Sequence, residues 1–114
     1  MKLRITSVDF GPNELHTQVP VCVTLLKQIP GPDRPDYWLA MLERTITWLD
    51  EGVQRSITHV VLAPRFMGSR IEPGAANLGV GLAYVIDQSL LTEASLSFSK
   101  CQYVAVAILD DVSP

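Results

Sequence analysis

Glycine and proline cut this chain into short lengths, and most of the lengths between the cuts alternate with a period of two. The cuts fall at Gly11-Pro12-Asn13, Pro30-Gly31-Pro32-Asp33-Arg34-Pro35, Asp50-Glu51-Gly52 and Pro64 to Asn77. Val19, Val21, Val23 and Leu25 form one continuous apolar face, with Cys22, Thr24 and Leu26 behind it. Lys2 to Phe10 alternates in part, with Arg4, Thr6, Val8 and Phe10 on one side and Leu3 and Ile5 on the other. Ile57–Ala63 and Tyr103–Leu109 are apolar on both sides, as strands covered on both faces are. Between Gly79 and Ile86, Val80, Leu82, Tyr84 and Ile86 face one way and Gly79, Gly81, Ala83 and Val85 the other. Small residues along one strand face predict the close approach of another backbone, or a bend.

Two segments carry mixed signals. Asp36 to Gly52 fits a helix with an apolar stripe of Trp38, Leu39, Leu42, Thr45, Ile46 and Leu49, Asp36 as N-cap and Gly52 beyond the end. It also fits strands, because Trp38, Ala40, Leu42, Ile46 and Trp48 alternate, Thr45-Ile46-Thr47-Trp48 favours extended backbone, and Asp50-Glu51-Gly52 suits a three-residue hairpin loop. The strand reading is preferred, since strands flank the segment on both sides. Ser89 to Ser97 is too polar for a core strand and predicts a short helix over Leu90 to Leu96.

The expected fold is one mostly-β domain spanning 1–114, an antiparallel meander or barrel-like sheet with one or two short helices. The alternative is a two-layer α+β domain with a helix at 36–51. The expected core is Val21, Val23, Leu42, Ile46, Val60, Leu62, Leu82, Val104, Val106 and Ile108. A chain of 114 residues that is 47% hydrophobic and 18% charged supports one real core and excludes a disordered class.

Charge narrows the partners. Nine Lys and Arg against 12 Asp and Glu give a net charge of −3, which argues against nucleic acid. Apolar runs such as Val60–Ala63 and Val104–Leu109 are far too short to span a bilayer as helices. The opening MKLRITSVDF has no apolar stretch after its basic residues, so the expected compartment is the cytoplasm. Cys22 and Cys101 have no metal or redox spacing and read as reduced, apolar-segment thiols.

The Pro64–Asn77 stretch holds the residue types that carry interface energy. Arg65, Phe66, Met67, Arg70 and Glu72 are candidate partner-binding residues, joined by Arg34 and Tyr37 beside the proline-stiffened turn. The alternative for these arginines is an ordinary surface role, paired with Glu72 or Asp87. Gly74 to Gly81 is glycine-rich but lacks the Gly-Lys-Ser/Thr ending of a phosphate loop and reads as a turn entering a strand. His16 and His59 are the two histidines, and His59 reads as a sheet histidine. Ser69, Cys22 and Cys101 are nucleophile candidates only by default, and the Asp50-Glu51 and Asp110-Asp111 pairs read as a turn and a terminus. No catalytic, metal or cofactor site is assigned.

In size, mild acidity and lack of a catalytic constellation the chain resembles the small bacterial immunity proteins that neutralise toxins. The resemblance is one of organisation and assigns no residue a role. It implies a small, non-catalytic cytosolic protein that acts through a protein partner. The alternatives are a homo-oligomeric assembly subunit, favoured mildly by a mean hydropathy of +0.21, and a β-barrel or enzyme with a cavity beside Tyr84, Trp38 or Trp48.

Overall fold

A computed structural model describes residues 2–9, 11, 13–50, 52–64 and 78–111. The six strands are β1 (Lys2–Asp9), β2 (Val21–Ile29), β3 (Tyr37–Asp50), β4 (Val53–Pro64), β5 (Leu78–Val85) and β6 (Cys101–Asp111). Each pairs antiparallel with its neighbours in sequence, and β6 returns to β1 to close a barrel. The helix alternative at 36–51 is therefore overturned, because Tyr37–Asp50 is strand. Its alternating residues keep the expected side, with Ala40, Leu42, Ile46 and Trp48 buried in the barrel and Trp38 packed against them. The β3–β4 connection is one residue shorter than the sequence suggests, because Asp50 already pairs with Val53. Gly52 takes φ +81° there, a conformation that favours glycine.

Two expected faces are corrected by the barrel. In β1 a bulge between Ile5 and Ser7 carries Val8 onto the same inner face as Leu3 and Ile5. Thr6, the displaced residue, donates its hydroxyl to the Ile108 carbonyl at 3.2 Å. In β6 the inward residues are Ala105, Ala107 and Leu109, while Val106 and Ile108 sit half-buried on the outer wall and Val104 is only partly buried at a bulge. Volume decides this. The interior holds Trp48 against Tyr84, edge to face with centroids 5.0 Å apart, and the strand facing such large rings contributes alanines. The rest of the expected core, Val21, Val23, Leu42, Ile46, Val60, Leu62 and Leu82, is buried as read.

The short helices also differ from expectation. Helix α1 (Asn13–His16) sends Leu15 into one end of the barrel, a role that four residues give no periodicity to announce. The 86–100 connection forms 3-10 turns at Gln88–Thr92 and Phe98–Lys100 instead of a helix over Leu90–Leu96. Asp87 caps the first by accepting from the Ser89 amide at 2.9 Å. This connection lies on the outer wall, where Leu90 and Leu96 pack on Ile29, Leu39, Val61 and Val85. The two-sided apolarity of the β4 segment thus has two causes, Val60 and Leu62 inside the barrel and Val61 under this outer cover.

Candidate functional site

The barrel interior is filled. Its remaining void is about 20 Å³, walled by Ile5, Leu15, Trp48, Leu82 and Tyr84 among others. That is room for about one water molecule, so a ligand has no space between Trp48 and Tyr84.

Two open concavities lie on the outer wall of β4, β5 and β6. Gly79, Gly81 and Ala83 alternate outward along β5, and Ala63 lies beside them on β4. Their missing side chains leave two adjoining grooves that share Ala63 and Gly81. One, of about 480 Å³, runs between Tyr37, Leu96, Phe98 and Tyr103 and is largely apolar. The other, of about 520 Å³, runs past Arg34, Pro64, Val106 and Ile108 to Asp9. Phe98 and Tyr103 are 51% and 59% exposed, which is unusual for a pair of aromatics on one wall.

Neither strand glycine on this floor is required by the backbone. Gly79 and Gly81 do not adopt positive φ, and a Cβ added at Gly81 would meet nothing nearer than the Ala63 carbonyl and the Tyr103 ring, both at 3.8 Å. At Gly79 the nearest atoms would be Ile108 Cδ1 and Val106 Cγ1 at 3.9 Å. The methyl of an alanine fits at both positions, and glycine inside a strand costs about 0.5–1 kcal/mol relative to alanine. Among the described residues, no backbone conformation or close contact requires this floor to be bare.

Of the residues singled out in the sequence, Arg34 and Tyr37 lie at these grooves. Arg34 is mostly buried and ion-paired through both guanidinium arms with Asp36, with its carbon Cζ 5.8 Å from the Tyr37 ring centroid. The Asp36 contact raises the Arg34 pKa still further, so this cation stays charged. Tyr37 donates its hydroxyl to Asp33 at 2.9 Å and meets Phe98 edge to face at 6.1 Å. Burial, then the Asp33 hydrogen bond, pushes its pKa up to about 12. These contacts make Arg34 and Tyr37 a fixed rim. Arg65, Phe66, Met67, Arg70, Glu72 and Ser69 lie outside the described residues. The sequence missed Phe98 and Tyr103, because a polar, serine-rich connection hides the one and a bulge turns out the other.

Among the described residues no three of His, Cys, Asp and Glu gather where a metal ion would bind. Cys22 and Cys101 are free and half-buried, and burial pushes the Cys101 thiol pKa up, away from the nucleophilic form. His59 has its Nδ1 2.9 Å from the Thr58 hydroxyl, and burial lowers its pKa. No described helix is long and apolar enough to cross a membrane. Comparison with protein families, curated proteins and solved structures finds nothing that matches this chain.

Proposed function

We propose that this protein is a small, non-catalytic binding module that acts by seating part of a protein partner in the paired grooves on the outer wall of β4, β5 and β6. The observation that carries the reading is the bare floor at Gly79 and Gly81, left open at a cost to strand stability although alanine would fit. A floor of this kind lets another chain approach the sheet backbone, and exposed Phe98 and Tyr103 supply the aromatic contact that dominates interface energy. The Arg34–Asp36 pair and the Tyr37–Asp33 bond hold the rim in one shape before a partner arrives, which lowers the entropy lost on binding. A net charge of −3 speeds encounter with a basic partner. Neutralising a basic enzyme in the cytoplasm, as immunity proteins do, is the form of this activity that the size and charge suit best.

The test fills the groove without disturbing the barrel. Gly81→Val should fold at least as stably as wild type, since it relieves the cost of a strand glycine. Partner affinity, once the partner is recovered from the source cell and titrated by calorimetry, should fall by about 2 kcal/mol, or roughly thirtyfold. A Gly79→Val/Gly81→Val variant that binds the partner as tightly as wild type overturns the proposal.

A further inference from the structure

We infer that the free edge of β4 at 53–58 is a self-association surface, on which a second copy of this chain adds its own β4 as an antiparallel strand. The surface is separate from the groove, and its test involves no other partner.

The observation is an asymmetry between the two edges of the β3–β4 hairpin. From Ile46↔Ile57 to Asp50↔Val53 the two strands pair with each other alone, because β2 pairs with β3 only as far as Leu42 and β5 pairs with β4 only from Val60. In an antiparallel pair, alternate residues direct both backbone groups to the partner strand, and the residues between direct both outward. Thr47 is an outward residue, since its amide donates to Gln18 Oε1 at 2.9 Å and its carbonyl accepts from Gln18 Nε2 at 2.5 Å. The Gln18 amide thus occupies the β3 edge as a short strand would. Ser56 stands opposite Thr47, so its amide and carbonyl point to the other edge, and the alternation repeats at Gln54. Among the described residues no strand lies along that edge. Gln54, Ser56 and Thr58 are all exposed there, with neither proline nor lysine to blunt pairing.

Charge selects the occupant and its register. Two antiparallel registers let Gln54 and Ser56 bond to the same strand of a second copy. One centres on Arg55 and sets the two arginines directly opposite each other, which is unfavourable. The other centres on Ser56, sets Ser56 against Ser56, Gln54 against Thr58 and Arg55 against Ile57, and moves the two arginines to the diagonal. On the exposed face it brings together only uncharged, hydrogen-bonding side chains. The edge is complementary to itself about a twofold axis, the commonest symmetry of small oligomers.

The test is a charge swap at the axis. Sedimentation equilibrium of wild type at tens of micromolar should give a dimer, while Ser56→Lys and Ser56→Glu should each dissociate by at least tenfold. Mixing the two variants should restore the dimer, which misfolding of either would not allow. Ser56→Cys places two sulfurs across a pair whose Cα atoms lie about 5.5 Å apart, within disulfide reach. A 56–56 cross-link mapped by mass spectrometry is therefore expected, and none from Gln54→Cys. A monomeric wild type overturns the inference, as does a dimer untouched by both charged variants or a 55–55 cross-link from Arg55→Cys.

Discussion

Replacing Gln18 with alanine should destabilise the barrel far more than its half-buried position suggests. The side chain makes two hydrogen bonds to Thr47 and a third to the Glu14 carbonyl at 2.8 Å, so it ties the end of α1 to the edge of β3. A typical intramolecular hydrogen bond contributes about 0.5–1.5 kcal/mol net. Water reaches part of the vacated edge, so the expected loss is about 1–2 kcal/mol. For a domain of 114 residues that lowers Tm by roughly 4–8 °C. Gln18→Glu sharpens the test. Its carboxylate keeps the acceptor for the Thr47 amide but confronts two carbonyl oxygens without a donor, which raises its folded pKa above the unfolded value of about 4.3. Its stabilising contribution is then present below that value and lost as pH rises through the folded pKa. Gln18→Glu should exceed Gln18→Ala in stability near pH 4 and lose that advantage by pH 7. Urea unfolding at both pH values, with hydrogen exchange at the Thr47 amide, reads the effect. Unchanged stability and unchanged Thr47 protection in Gln18→Ala would refute the claim that this amide closes the edge.

Burial depresses the His59 pKa, so the unfolded chain takes up a proton near pH 6.5 while the folded one resists to lower pH. Stability should therefore fall as pH drops from about 6.5 through the folded value, and His59→Gln, followed by thermal melts across that window, should flatten the decline. Burial raises the Cys101 pKa, and its thiol lies 3.9 Å from the Ser97 carbonyl. Iodoacetamide at pH 8 should modify Cys101 more slowly than free cysteine, and equal rates measured by peptide mass spectrometry would contradict its half-buried placement.

The strands were legible because alternation survives wherever one face is much more apolar than the other. Val21, Val23 and Leu25 show this in β2, and Trp38, Ala40 and Leu42 show it in β3. Where both faces are apolar the pattern is silent, and it does not tell Val106 and Ile108 apart from Ala105 and Ala107. The choice of Ala105 and Ala107 depends on Trp48 and Tyr84, residues distant in sequence that already fill the barrel. Bulges are equally hidden, since Thr6 and its neighbours look the same in register or out of it. Of the candidate site, the bare face of Gly79, Gly81 and Ala83 could be read directly as a place of close approach. Its aromatic rim could not, because Phe98 and Tyr103 are placed by turns. The pairing of Gln18 with Thr47 joins a turn residue to a strand 29 positions away, and no local pattern encodes it.

Closing the barrel by pairing β1 with β6 fixes the order in which the chain can be assembled. Leu3 must find Asp111 and Asp9 must find Val106, partners separated by nearly the whole sequence. Such pairings place a fold among those that form in milliseconds to seconds rather than microseconds. During synthesis β1 can pair with β2 early, yet its other edge must wait for β6. At about 5–20 residues per second that wait lasts roughly 5–20 s, and throughout it the nascent chain carries an open strand edge. The open edge of β1 is exposed to wrong pairing until β6 leaves the ribosome, and the seam between them forms only then.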